Sequence, residues 1–207
     1  MLFTVLTGDI VASTALDASE LDATLDAVRG ASVLVSQWGA PDPVTGFARR
    51  GGDGWQIAFT DFARSLRAAL LVQAYIRRLG KGRATRIAIA TGEGTLPASG
   101  DPNAAHGTAF VTSGRLLETM PPERLMDHAD GGARAATVLL ADRIAQGWTP
   151  AQARAMAEIL PPGSGPHSAV ASLLGITRQA VDQALTAAGW PAMDAALTAW
   201  ETEWHSA

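Results

Sequence analysis

The sequence predicts an α+β fold: an antiparallel sheet carrying helices, followed by an all-helical module. Three observations lead there. Apolar, β-branched runs at residues 2–7 (LFTVLT) and 85–91 (TRIAIAT), with two shorter ones within 44–60, have strand character. Between them apolar residues return at helical spacing: Leu21, Leu25, Val28, Val35 and Trp38, then Phe62, Leu66, Ala69, Val72, Ile76 and Leu79. From about Ala133 onward strand character vanishes and alanine-rich helical segments take over.

Each element has its local signals. The first strand ends at Gly8 and Asp9, and Asp17 with Glu20 makes a capping pair for the first helix, which Gly39, Pro41 and Pro43 stop. Residues 44–60 form two short strands around RRGGDGW, where Gly51, Gly52 and Gly54 surround Asp53 at the tip of a hairpin. Gly80 and Gly82 close the second helix, and Thr85 to Thr91 is the fourth strand. After a polar loop, residues 108–119 are helical until Pro121 and Pro122. Strand, helix, strand, strand, helix, strand, helix is the order of a ferredoxin-like antiparallel sheet with helices on one face. Gly147, Pro161 to Pro166, Gly175 and Gly189 to Pro191 break the helical part. The expected division is 1–130 and 133–207.

Composition narrows the classes. With 207 residues, 47% apolar and 17% charged, the chain is of ordinary globular type. It has no cysteine, which excludes disulfides and thiol catalysis and fits a reducing cytoplasm. MLFTVL is too short an apolar run for a signal or a span, so a soluble cytoplasmic protein with no membrane partner is expected. A net charge of −4 argues against coating nucleic acid through bulk positive charge.

Asp9 and Asp53 each stand at the end of a predicted strand. Asp beside Gly is a common turn pair. In a sheet of this order, however, the two carboxylates can converge, and a hard divalent cation such as Mg²⁺ or Mn²⁺ carrying a phosphate would reconcile them. Ser13 and Thr14 follow where a helix should begin, so backbone N–H groups there can receive phosphate oxygens.

LTGDIVAST at 6–14, GGDGWQIAF at 51–59, RIAIATGEG at 86–94 and GTAFVTSGRLLE at 107–118 have the order and spacing of class III nucleotidyl cyclase domains, which the first 120 or so residues resemble. The resemblance implies that Asp9 and Asp53 are metal-binding acids, with the Ile10 carbonyl assisting. It implies further that Arg115 stabilises the transferring phosphate, that Arg49 stands at a base-selecting position, and that a homodimer completes the site. The chemistry would be attack of a ribose hydroxyl on the α-phosphorus, helped by two metals. Three positions depart from the pattern: Val111 replaces an asparagine, Ala12 a glycine, and Asp101 lies one residue out of register with Pro102 in its place. Losing groups that orient substrate costs orders of magnitude in rate.

A closer resemblance is to the SatD family of small bacterial proteins, carried in the second half by GWTPAQARA at 147–155 and SAVASLLGITRQAVDQALTAAGW at 168–190. There Ala171, Gly175 and Val181 have helix-turn-helix spacing, with Val170, Leu174, Ile176 and Leu185 as core. Thr177 is a good N-cap, and Arg178, Gln179 and Gln183 would face DNA bases. Charge opposes this: from Thr149 onward there are two arginines against five acids, a balance of −3. Packing or protein contact is the competing reading.

The stretch Arg64, Arg67, Arg77, Arg78, Lys81, Arg83 and Arg86 contains no acid and reads either as a phosphate-binding patch or as the solvated face of a helix. His106, His128, His167 and His205 share no metal-ligand spacing. Trp200 and Trp204, four apart, are expected to pack together or on the module's core. The functional expectation is a regulator whose cyclase-like part binds divalent metal and a nucleoside triphosphate or cyclic nucleotide and controls a DNA-binding helix-turn-helix. The alternatives are an active metal-dependent nucleotidyl cyclase, a phosphorus–oxygen lyase whose helical module aids dimerisation, and a degenerate cyclase fold serving as a dimerisation scaffold.

Overall fold

The computed structural model describes residues 1–38 and 45–206, so the predicted stop at Gly39, Pro41 and Pro43 lies outside the described residues. The elements of the first part are β1 (Leu2–Ile10), α1 (Ala18–Val35), β2 (Thr45–Arg50), β3 (Gly54–Phe59), α2 (Ser65–Arg77), β4 (Thr85–Glu93), α3 (Thr108–Thr119) and β5 (Met126–His128). Then come α4 (Gly132–Gln146), α5 (Pro150–Ile159), α6 (His167–Leu174), α7 (Arg178–Ala187) and α8 (Trp190–Ser206). Single 3₁₀ turns occupy Ser13–Ala15, Phe62–Arg64 and Pro102–Ala104.

The fold is mixed α+β, and the sheet order is β2-β3-β1-β4-β5. All pairs are antiparallel except β4 with β5. The capping box predicted at Asp17 is present, with Asp17 accepting from the Glu20 N–H and Glu20 from the Asp17 N–H. Helix α1 ends at Val35, so Trp38 lies beyond it in a turn while remaining buried.

Strand alternation divides the sheet into two faces. Leu6, Ile10, Trp55, Ile57, Ile87 and Ile89 face α1 and α2, where Leu25, Val28, Leu66 and Leu70 complete the main core. Phe3, Val5 and Ala58 face the other way, against Ala109 and Phe110 of α3. The expectation that the helices share one face is therefore corrected: α3 covers the opposite face. Small residues there, Gly92 above all, let the helix approach, since a Cβ on Gly92 would lie 2.7 Å from the Thr108 hydroxyl.

β5 went unpredicted because three residues are too few to show alternation. Asp142 of α4 accepts a hydrogen bond from the Leu125 N–H beside it at 2.9 Å.

The helical part packs onto α2, and one continuous apolar cluster runs from Leu6 to Trp200. Arg67 of α2, nearly buried, donates to the Leu160 carbonyl at 3.0 Å and to Glu201 at 2.5 Å. Trp200 lies in this apolar cluster and Trp204 packs against it. Trp200 meets His128 and donates to Ser65 at 3.1 Å, whereas Trp204 meets Phe62.

Helices α6 and α7 are joined by a turn in which Gly175 has φ 65°, and the Thr177 hydroxyl accepts from the Ala180 N–H at 3.1 Å. Val170, Ala171, Val181 and Leu185 are buried between them, but Ile176, expected in the core, is 45% exposed. Among the described residues no helix is long and apolar enough to cross a membrane.

Candidate functional site

The expectation of a strand ending at Gly8 and Asp9 is corrected, because β1 continues through both to Ile10. Asp9 pairs with Gly54 of β3 on one side and Arg86 of β4 on the other. Directly opposed residues project from the same face, so the carboxylate and guanidinium meet on the α3 side of the sheet. Arg86 donates through Nε to Asp9 Oδ1 at 2.9 Å and through Nη2 to Oδ2, a two-point ion pair.

Beneath it the strand is fixed from the core. The Trp55 indole donates to the Thr85 hydroxyl at 2.9 Å, and that hydroxyl donates to the Asp9 carbonyl at 2.6 Å. The indole lies across Gly8, where a Cβ would collide with it and with the Arg86 carbonyl.

Asp53 reaches the same place from the hairpin. Its carbonyl accepts from the Ile10 N–H at 3.2 Å, and its carboxylate accepts from the Ser13 hydroxyl. Ala12, which precedes Ser13, adopts the left-handed conformation at φ 52°, where a glycine carries no steric cost. The hydrogen bond that Arg86 donates to Asp9 is the main reason its guanidinium holds its proton more tightly than usual; burial opposes, and the charges of Asp9 and Asp53 add to the effect. The positive partner of the two acids is thus a side chain.

A divalent ion fits this donor set poorly. Mg²⁺ and Mn²⁺ require several oxygen ligands in regular geometry. Here both Asp9 oxygens are engaged by Arg86 and one Asp53 oxygen by Ser13. The arrangement does not fit the metal pair that a cyclase reaction uses.

Beside the acids lies an open cleft of 350 Å³ between the sheet and α3, lined by Arg50, Gln56, Asn103, His106, Val111 and Arg115 among others. A recess of 230 Å³ that includes Asp9, Trp55 and Leu117 adjoins it, with Arg50, Gly114 and Glu118 common to both. Arg50 and Arg115 are exposed, and neither forms an ion pair among the described residues. In the buried floor Gln56 donates to the Thr7 hydroxyl at 2.8 Å, which shares a 2.7 Å hydrogen bond with Ser113 and ties α3 to the sheet. Two guanidinium groups beside amide and imidazole donors can hold a phosphorylated anion.

The other predicted residues fall elsewhere. Arg49, one position from Arg50, projects from the opposite face and pairs with Asp22 of α1 at 2.9 Å. Ile10 is buried and Thr14 exposed. The helix beginning expected at Ser13 and Thr14 is corrected: that segment is one 3₁₀ turn, and α1 starts at Ala18. Asp101 accepts from the Asn103 N–H in a local turn. In the helical part Thr177 serves as an N-cap, Gln179 and Gln183 are exposed, and Arg178 stands 3.7 Å from Asp182, which also holds His167 at 2.5 Å.

The basic stretch is no single patch. Arg64, Arg67, Arg83 and Arg86 pair with Asp61, Glu201, Glu20 and Asp9, and Arg78 stacks on Tyr75. Arg86 and Arg50 are the residues that sequence reasoning missed. The linear sequence carries no signal for either, since the first depends on the β1–β4 register and the second on which face of the sheet meets α3.

No family model matches this sequence, and no curated protein matches it. Membership of the SatD family therefore has no family match behind it. Among solved structures, the crystal structure of the guanylyl cyclase Cya2 is similar, with a TM-score of 0.47 and 17% identity. The match covers 64% of this chain and 79% of that one.

Proposed function

We propose that this chain is a nucleotide-binding regulatory protein of cyclase-like fold and not a working cyclase. The observation that carries the reading is the cleft in which Arg50 and Arg115 stand without ion pairs among the described residues, beside an acid pair already matched by Arg86. The two arginines hold the phosphates of a nucleoside triphosphate or cyclic nucleotide, and the exposed Asn103 and His106 contact the remainder. Val111, half exposed at the cleft, supplies no hydrogen bond to a ribose. Helices α6 and α7 are the output surface, a helix-turn-helix presenting Arg178, Gln179 and Gln183 to DNA.

A second reading of that output has its own observation. Leu173 is 71% and Ile176 45% exposed next to the turn. Such apolar groups suit a docked protein chain, a second copy included, better than phosphates.

Calorimetry with each nucleoside triphosphate, in the presence and absence of Mg²⁺, tests the first step. Arg50→Ala and Arg115→Ala should each weaken binding by about 1.5–3 kcal/mol, the value of a charge-assisted hydrogen bond, or roughly 10- to 150-fold. Chromatography of the mixtures should show no cyclic product. Unchanged affinity in both variants, or cyclic product from any nucleotide, defeats the proposal. Gel shifts on the protein's own upstream DNA, with and without nucleotide, decide between DNA and protein as the partner of α6 and α7.

A further inference from the structure

Asp9, next to the end of β1, and Asp53, in the turn between β2 and β3, create a demand for positive charge. Arg86 is placed by the β1–β4 register directly across from Asp9, and its two-point contact engages both oxygens of that carboxylate. The Arg86 side chain is 28% exposed and that of Asp9 26%, so solvent screens the pair only in part. Asp53 sits close enough to act on the same guanidinium, while the Ser13 hydroxyl engages its carboxylate. A guanidinium is a permanent cation that does not release its charge at working pH. A divalent ion bridging the acids would displace it and be repelled by it.

We infer that Arg86 is the resident cation of the Asp9–Asp53 pair and closes it to divalent metals, so that metal binding here is latent and is uncovered by removing one side chain. This deepens the nucleotide-binding reading by making that binding independent of metal. Its test uses metal alone, so either can fail without the other.

The experiment is a Mn²⁺ titration of the full chain, followed by the electron paramagnetic resonance signal of the free ion. Wild type and Asp9→Asn should bind alike, with no site that depends on Asp9. Arg86→Ser should gain Mn²⁺ affinity by at least about tenfold, and adding Asp9→Asn should remove the gain. Arg86→Lys, which keeps the charge, should stay like wild type. If Arg86→Ser does not fold, Arg86→Gln replaces it, with circular dichroism confirming the fold of each variant. A wild-type site lost on Asp9→Asn would overturn the inference. So would a folded Arg86→Ser or Arg86→Gln variant that gains nothing.

Discussion

Arg67→Ala should cost this protein much of its stability, and it tests whether the sheet and the helical module are one unit. The guanidinium links α2, the end of α5 and α8 through bonds to the Leu160 carbonyl at 3.0 Å and to Glu201 at 2.5 Å. With side chains 9% and 20% exposed, the ion pair lies beyond the screening that makes surface pairs weak. Removing one partner of a buried pair typically costs about 3–5 kcal/mol. The Leu160 carbonyl, in a residue with no exposed surface, also loses this donor. For a chain of this size each kcal/mol lowers Tm by roughly 2–4 °C, so a fall of about 6–20 °C is expected. Urea unfolding should be followed by far-ultraviolet circular dichroism and by fluorescence of the six tryptophans, which include Trp55 in the sheet and Trp200 in α8. Coincident curves that move together in the variant are expected. A loss under about 1 kcal/mol, or separate transitions for the two parts, would refute the reasoning, because a shared core cannot unfold by halves.

Ala12→Gly should stabilise the protein by about 1 kcal/mol, since a left-handed backbone burdens any residue with a Cβ by roughly that amount or more; a lower urea midpoint would contradict the φ of 52°. His128, buried against Trp200, has its pKa lowered chiefly by desolvation, so the unfolded chain binds its proton first as pH falls. Stability should therefore decline as pH drops through the ordinary imidazole range near 6.5, and His128→Phe should flatten that limb in pH-dependent thermal melts. Asp142 has the opposite sign. Its pKa is raised by burial, so its contribution grows as pH falls through the raised value and is lost as pH rises again.

What the sequence determined by itself was local. The capping pair of Asp17 and Glu20, the hairpin around Gly51 to Gly54 and the N-cap at Thr177 depend on residues within a few positions of one another, and each is present where neighbouring residues place it. Helix and strand periods were equally legible, since an apolar face repeats whatever it later packs against. Tertiary structure decided the rest. Only the β1–β4 register sets Arg86 against Asp9 across a separation of 77 residues, turning an apparent member of a basic stretch into the cation of the site. Only strand alternation seen in the sheet tells Arg50, in the cleft, from Arg49 on the far face. The second face covered by α3 arose the same way, from small side chains on β4 that matter only once a helix lies on them. Propensity and capping act through neighbours in the chain, whereas charge pairing and clefts depend on neighbours in space, which a linear pattern does not rank.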